Sequence, residues 1–238
     1  MARTIVFAHL AFVLAQLLWG AAGPVIKLTL QEIPPITFLF LRFLVVCILL
    51  LPYTMYEVMK QKVSKKDYLN LFLLGLFSQT AIVIVFFALK YTHVIDYTVI
   101  SIIGFILSIY AGHYFYKDKV HKGLTIGLVL ASIGTFIVIL EPLVIGGHDT
   151  IPVGQRLLGN MLGLLYSLTF TVYVVWSKMS TGDKSKKLKK TLSFIHLRAM
   201  TKNYSPTLIV ALTFYVGLLT MVPLVFVEHT GVFGSIGT

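Results

Sequence analysis

The segment "PITFLFLRFLVVCILLLPYTM" (Pro35–Met55) establishes the structural class of this protein. It holds a single charged residue, Arg42, in an apolar run as long as the roughly 20 residues that cross a bilayer core about 30 Å thick. Because lipid offers the backbone no hydrogen-bond partners, a segment of this kind must form a helix. The sequence therefore predicts a transmembrane helix over these residues.

Six other apolar blocks show the same pattern. Hydrophobic residues make up 57% of the 238 positions and charged residues only 12%, whereas a soluble domain carries about 25% charged residues. The sequence thus predicts an all-α, polytopic transmembrane helix bundle of about seven spans, with the lipid bilayer as its main partner. The other predicted spans are Ile5–Leu28, Tyr68–Leu89, Val94–Phe115, Gly123–Ile145, Leu158–Trp176 and Pro206–Val227.

The basic residues between these blocks indicate the orientation. Alternate connections carry almost all of the Lys and Arg, while the opposite connections hold only Lys27, Lys90 and Arg156. Because basic connections remain in the cytoplasm, we predict a cytoplasmic N-terminus in a multi-pass protein of the cell membrane. The net charge of +11 then reflects lysines that meet anionic head groups, and we expect no nucleic acid partner.

A faint internal repeat divides the chain. Pro35–Pro52 and Pro206–Pro223 align with both prolines in register, and the spans that precede them also align. Five spans separate the copies, an odd number, so the second copy must lie inverted in the bilayer, as in many secondary transporters. The predicted units are a first five-span repeat (1–145), an outer loop (146–157) and a partial second repeat (158–238) with a basic cytoplasmic loop (177–205).

The basic cytoplasmic loop is the longest connection. Its first half, Thr181 to Lys190, has the Lys, Ser, Gly and Asp composition of a solvated loop. The apolar residues of Leu192–Met200 leave two interpretations open, a short interfacial helix or the continuation of a solvated linker.

Several elements of the first two spans are shared with a known family. The segment "LLWGAAGPVIKLTLQEIPPITFLFLRFLVV" (Leu17 to Val46) resembles the opening of an EamA domain in the drug/metabolite transporter superfamily. Weaker likenesses cover Ala88 to Ile103 and Leu157 to Met179. The elements that carry the resemblance are Leu18-Trp19-Gly20, Lys27, Pro34-Pro35 and Leu41-Arg42-Phe43.

The resemblance implies a secondary transporter that moves a small organic metabolite across the cytoplasmic membrane by alternating access. It also implies ten spans in two five-span repeats, so we expect a truncated product or three further helices that are lost or encoded elsewhere. The chain departs from the family where Tyr116-Lys117-Asp118-Lys119 replaces a Gly-Glu pair at the end of the fourth span. The alternative is a non-transporting membrane partner, or a half-transporter that needs another subunit or a homo-oligomer.

Patterns typical of enzymes are lacking in the sequence. The single cysteine, Cys47, lies in an apolar block, and no metal-ligand spacing, nucleotide-binding glycine loop or nucleophile elbow occurs. His9 and His113, near the cytoplasmic ends of their spans, are interpreted as structural rather than as a proton relay. We therefore predict a protein that is not an enzyme and that uses no cofactor or metal.

Charged residues near the outer ends of the spans are candidates for an outer vestibule. Arg42 lies roughly 10 Å into its span, where a charge costs about 2.5–3.5 kcal/mol. It either snorkels or packs structurally, or lines the outer part of a substrate path. We hypothesise that Asp96 or Glu141 neutralises Arg42 or Lys27; charges solvated at the interface are the alternative.

A second group of residues is predicted near the middle of the membrane. Aromatic walls and amide groups suit an amphipathic organic solute, although packing or interhelical hydrogen bonds explain each residue singly. Together with the outer charges, the predicted substrate-binding residues are Gln16, Trp19, Lys27, Arg42, Gln79, Asp96, Tyr97, Tyr166 and Tyr173.

Overall fold

The structure, a computed structural model, describes residues 2–145, 151–182, 185–194 and 200–229, and all regular structure in these ranges is helical. The all-α prediction is therefore confirmed. In chain order the helices are α1 (Ala2–Thr29), α2 (Pro35–Gln61), α3 (Tyr68–Gly75), α4 (Ile82–Tyr91), α5 (Val94–Tyr116), α6 (Lys122–Ile145), α7 (Val153–Ser180), α8 (Lys186–Phe194) and α9 (Pro206–His229).

Seven helical stretches of the described chain are long and apolar enough to cross a bilayer, as predicted. Six of them are single helices, and the third (Lys65–Tyr91) combines a short 3-10 turn, α3, a π-helical segment (Leu76–Thr80) and α4. The chain is thus a multi-pass membrane protein. The ends of each span are called outer and cytoplasmic here after the orientation that the basic residues predict.

α2 extends further than predicted, from the expected end at Met55 to Gln61. The added turns contain Glu57 and other good helix formers, which continue a helix after the apolar run has ended. The helix stops where Lys62 adopts a left-handed conformation (φ 48°) and donates its N–H to the carbonyl of Val58.

Two clusters of buried apolar residues hold the bundle together. The outer cluster joins α1, α2, α4 and α9, and the cytoplasmic cluster joins α3, α7, α8 and α9. α2 and α9 pack as antiparallel neighbours, and α5 lies against α7. The largest fully buried members are Leu39, Phe43, Phe86 and Met221 in the outer cluster and Leu74, Leu208 and Ile209 in the cytoplasmic cluster.

Glycines allow the closest helix contacts. A Cβ on Gly159 of α7 would lie 2.9 Å from the backbone nitrogen of Thr92, and one on Gly217 of α9 would lie 2.7 Å from the Cβ of Gln79. Membrane helices gain stability mainly from such close packing, because lipid tails are as apolar as the side chains. α1 and α6 lie at the edge and expose apolar residues such as Phe12 and Leu130.

The basic cytoplasmic loop is partly helical, so the solvated loop predicted over Thr181 to Lys190 is wrong from Lys186 onward. α8 buries Leu188 and Leu192 in the cytoplasmic cluster, and the Ser185 hydroxyl accepts a hydrogen bond from the Leu188 N–H at 3.1 Å. The two leucines, four residues apart, give the helix an apolar stripe that the many lysines obscure. Of the predicted Leu192–Met200 helix, residues 195–199 lie outside the described ranges.

A buried carboxylate fixes the return of this loop to α9. Asp67 accepts hydrogen bonds from the Thr201 N–H at 2.9 Å, from the Thr201 hydroxyl at 2.7 Å and from the Tyr204 hydroxyl at 2.7 Å. Burial, together with the hydrogen bond to Asp67, raises the pKa of the Tyr204 phenol. The phenol therefore remains protonated and can act as the donor in this contact.

Candidate substrate site and an outer charge network

Arg42 on α2 is an exposed residue of the bundle, on the side that carries Tyr166 of α7. The guanidinium lies close enough to the phenol for their charges to interact. Arg42 forms no ion pair and no hydrogen bond with any other described residue. An intramembrane arginine of this kind is a candidate for ligand contact, because structural arginines at this depth normally pair with carboxylates or carbonyls.

Tyr166 is the centre of an aromatic group. Its phenol interacts electrostatically with those of Tyr97 on α5 and Tyr173, one and a half to two turns further along α7. Its ring stacks on Phe170 with centroids 6.0 Å apart, and Phe170 lies 6.2 Å from Tyr173. The structure thus brings three of the predicted aromatic residues, Tyr97, Tyr166 and Tyr173, near one another.

The π-helical segment between α3 and α4 carries a further predicted residue, Gln79. Its side chain is 7% exposed and donates to the Ser78 hydroxyl at 3.2 Å, while its Oε1 accepts no hydrogen bond from any described residue. The Ser78 hydroxyl in turn lies near the Tyr173 phenol. Single π turns occur often at functional sites, since they redirect side chains and loosen the helical ladder.

Gln16 and Trp19 on α1 lie apart from this group. Both side chains are exposed, Trp19 to 65%, because α1 touches the rest of the bundle through its outer end, around Ile26. Hydropathy predicts that α1 crosses the membrane but does not predict which of its faces meets the other helices.

The outer charges pair differently from the hypothesis. Arg156 donates from Nε to the carboxylate of Asp96 at 2.7 Å and forms a second ion pair with Glu141. Neither carboxylate pairs with Arg42 or Lys27, so that pairing hypothesis is wrong. Arg156 was assigned to the outer loop, but α7 begins at Val153, and the side chain is therefore held on a helix facing α5 and α6.

Two neutral residues extend this network. The Thr92 hydroxyl donates to Asn160 at 2.7 Å and lies 3.4 Å from Asp96, and the Asn160 amide lies 3.4 Å from the carbonyl of Ile139. Sequence reasoning missed Arg156, Asn160 and Thr92. For two of them a pattern was available: Arg156 and Asn160 are polar residues four positions apart, and this spacing puts both side chains on one face of α7.

Lys27 contacts backbone carbonyls rather than a carboxylate. Its ammonium donates to the carbonyls of Leu89, Lys90 and Thr92 at 2.5, 3.3 and 2.9 Å. These carbonyls end α4, where they lack helical partners and where a cation is favoured by the helix dipole. Lys27 therefore fastens α1 to the outer end of α4.

A metal centre does not arise from the described residues, which contain no group of three His, Cys, Asp or Glu side chains able to hold an ion. The Cys47 side chain is buried, and its carbonyl accepts from the Tyr215 hydroxyl at 2.8 Å. The His113 ring contacts the carbonyl of Asp118 at 2.7 Å, at the turn that follows α5.

The comparison with known proteins assigns the family. The profile of the EamA-like transporter family matches residues 6–140, which is more than half of the chain. The protein belongs to the EamA-like transporter family. A curated relative, an uncharacterized transporter from Archaeoglobus fulgidus, is 28% identical over 137 residues, or 55% of this chain and 39% of the relative. The chain thus spans about two fifths of that relative's length. No solved structure matches this chain.

The EamA-like match contains only part of the polar groups described above. Arg42, Gln79, Asp96 and Tyr97 lie within it, whereas α7, which carries Arg156, Tyr166 and Tyr173, follows it. The family match therefore says nothing about α7 of this EamA-like protein, and the structure places that helix against α4 and α5.

A cavity of about 330 Å³ opens between α5 and α7 of the EamA-like bundle at their cytoplasmic ends. Its wall is mainly apolar and includes Phe105 and Val174, and the ion pair of Lys178 with Asp118 (2.8 Å) lies at its edge. It is separate from the group around Tyr166. No sequence pattern predicted it, because it depends on how the two helices diverge.

Proposed function

We propose that this chain is a secondary transporter that moves a small organic metabolite across the cytoplasmic membrane by alternating access. Membership of the EamA-like family supports this proposal, and so does its similarity to a protein named as a transporter. No bound cofactor is required, since a carrier of this kind uses a gradient that already exists across the membrane.

One observation carries the proposal: Arg42 lies within a membrane span, is exposed rather than packed in the core, and makes no ion pair with the described residues. An unpaired charge within a membrane is costly, and the same chain pairs its other deep arginine, Arg156, with two carboxylates. A cation left available within a span is therefore better explained by contact with a solute than by stability alone.

The packing of α2 and α9 agrees with the proposed inverted repeat. α2 begins at the outer side, where the Glu228 carboxylate at the end of α9 accepts from the N–H groups of Ile36 (2.9 Å) and Thr37 (2.7 Å). The two corresponding spans thus run in opposite directions, as repeats of opposite topology must. We propose residues 1–145 and 158–238 as the two units, the second one partial.

Transport by the purified chain tests the proposal. Proteoliposomes loaded with a cell metabolite extract are compared with protein-free liposomes, and the compounds that leave are identified by mass spectrometry. We expect a defined set of metabolites to leave through the wild-type chain, and an Arg42→Gln variant to slow their exit at least tenfold. Lys178→Gln, which removes a partly exposed charge, is the matched control and should retain wild-type flux.

The result also separates the alternative function. Flux in native membranes that is absent from the purified chain would favour a half-transporter that needs another subunit. Flux in neither preparation, with correctly folded protein in both, would overturn the carrier proposal.

A further inference from the structure

The cavity between the cytoplasmic ends of α5 and α7 has the size and composition of a lipid site. Its volume of about 330 Å³ is within the range of ligand pockets, about 300–1,000 Å³. We propose that one acyl chain of an anionic phospholipid of the cytoplasmic leaflet occupies this cavity, with the lipid phosphate beside Lys119. The length of the cavity, the nature of its wall and the charges at its rim carry this inference, which does not depend on the proposed transport function.

The cavity follows one face of α5 for about the depth of one leaflet. Its lining on this helix includes Phe105, Ile109, Gly112 and Tyr116, which recur at helical spacing. The distance along the helix from Phe105 to Tyr116 is roughly 16 Å, and one leaflet contributes about 15 Å of the hydrocarbon core. Phe105 is 51% exposed, so this end of the cavity borders the surface that lipid covers. An acyl chain that ends at the middle of the bilayer therefore matches the cavity in length.

Polar groups in the wall of the cavity already have partners within the protein. The Ser108 hydroxyl donates to the carbonyl of Gly104 at 2.7 Å, and the Tyr116 hydroxyl donates to the carbonyl of Val175 at 2.6 Å. Because the wall is otherwise mainly apolar, it offers a polar solute little to replace its hydration. A hydrocarbon chain has no hydrogen bonds to lose and gains from leaving water or detergent contact.

The charged residues of the cavity stand at its rim. Lys178 pairs with Asp118 at 2.8 Å, so its charge is compensated. Lys119 lines the cavity and is exposed, and its ammonium forms no ion pair or hydrogen bond with any described residue. Lys117 and Lys122 add positive charge a few positions away. Basic groups at the cytoplasmic surface attract anionic lipids, so the rim favours a head group with a net negative charge.

Exposed tyrosines indicate that this rim lies at the membrane surface. Tyr110 and Tyr114 of α5 are exposed, and the Lys187 ammonium of α8 lies 3.9 Å from the centre of the Tyr114 ring. Tyrosines are enriched where the hydrocarbon core meets the head groups. A phosphate at the rim is thus level with the other head groups of the leaflet while its acyl chain lies in the cavity.

Native mass spectrometry of the purified full chain tests the lipid class. The protein in neutral detergent is incubated with equal amounts of dioleoyl phosphatidylglycerol and dioleoyl phosphatidylcholine, which share their tails and differ in net charge. We expect about fivefold more phosphatidylglycerol to remain bound, the factor that one lysine near an anionic surface contributes. Glycerol phosphate, which lacks the tails, should not displace it. Equal retention of the two lipids, or displacement by glycerol phosphate, would overturn the inference.

A charge reversal assigns the head group to the rim. Lys119→Glu should lower the retention of phosphatidylglycerol by about 5- to 30-fold. Lys66→Glu is the matched control, because it changes the net charge equally at an exposed cytoplasmic position outside the cavity, and it should bind the lipid as wild type does. Equal losses in the two variants would show attraction by overall charge alone and contradict the site.

A bulky substitution assigns the acyl chain to the cavity. Ile109→Trp fills the space and should remove the preference for phosphatidylglycerol, whereas Ile133→Trp, at an exposed position of α6, should keep it. Thermal unfolding in the same detergent shows whether each variant is folded. Undiminished retention by a folded Ile109→Trp protein would overturn the inference, and if that variant does not fold, the comparison of Lys119→Glu with Lys66→Glu decides.

Discussion

Arg156 on α7 and Asp96 on α5 form an ion pair that is almost fully buried, with Nε 2.7 Å from the carboxylate oxygen. Arg156 is 8% exposed and Asp96 6%, and Glu141 adds a carboxylate from α6. Three consecutive spans are thus connected at the outer end of the bundle by one guanidinium.

Removing the guanidinium should destabilise this outer end. Arg156→Leu leaves the buried Asp96 carboxylate and the partly buried Glu141 carboxylate without a counter-charge, so we expect a loss of about 3–5 kcal/mol in the free energy of unfolding, measured by chemical unfolding in mixed micelles. Adding Asp96→Asn to that variant should restore part of the loss. The exposed pair of Lys178 and Asp118 is the control, and Lys178→Gln should cost less than about 1 kcal/mol. Equal effects of Arg156→Leu and Lys178→Gln would contradict the network.

Gly159 provides a test of helix packing. Its missing side chain lets α7 approach the end of α4, and a Cβ there would lie 2.9 Å from the nitrogen of Thr92 and 3.0 Å from the carbonyl oxygen of Ala88. Backbone atoms cannot move aside cheaply, so Gly159→Ala should destabilise the protein by about 1–3 kcal/mol.

A matched glycine on α6 is the control for this substitution. A Cβ on Gly134 would meet nothing within 4 Å, so Gly134→Ala should be neutral or stabilise by about 0.4–1 kcal/mol. Thermal unfolding in the same detergent compares the two variants. A Gly159→Ala protein as stable as Gly134→Ala would show that α4 and α7 do not pack this closely.

Tyr204 should control the order of the cytoplasmic loop. Tyr204→Phe removes the hydrogen bond to the buried Asp67 and the acceptor for the Ser64 N–H at 3.1 Å, at a cost of about 1–3 kcal/mol. We expect faster trypsin cleavage after the lysines of α8, followed by mass spectrometry. Tyr110→Phe, at an exposed position of α5, should be cleaved at the wild-type rate. Identical cleavage of both variants would argue against the Asp67 contact as the anchor.

The orientation of the chain remains a prediction from its basic residues and can be measured directly. Cys47 is the only cysteine, so Cys47→Ala gives a background without thiols. In intact cells an impermeant maleimide should label Gln31→Cys between α1 and α2, and should label Lys119→Cys between α5 and α6 only after permeabilisation. Labelling of both from the same side would overturn the topology.

The spans were predictable because lipid imposes a local requirement. Pro35–Met55 is apolar along its whole length and was found as a helix, although α2 continues to Gln61. The helical part of the basic loop was not predicted, since the apolar stripe of Leu188 and Leu192 is hidden among lysines. A short helix of this kind is held by the cluster it contacts rather than by its own composition.

The candidate residues were predictable as types but not as partners. Arg42 and Asp96 stood out because charges are rare within spans, yet the hypothesis joined Asp96 or Glu141 to Arg42 or Lys27. The actual cation, Arg156, looked like a loop residue because the apolar block that follows it begins at Leu158. A difference of a few residues in the start of α7 changes which face of the bundle its polar groups meet.

The amino acids alone predicted that the chain crosses a bilayer about seven times, which the structure supports, and its lysines predict the direction of each crossing. Each of these properties depends on the solvent around a single segment and needs no neighbour. The pairing of Asp96 with Arg156 and the contact of Lys27 with the end of α4 came from the folded structure. They depend on how far each helix is rotated and how closely it approaches the next. Close packing at residues such as Gly159 determines this geometry, and hydropathy contains no information about it.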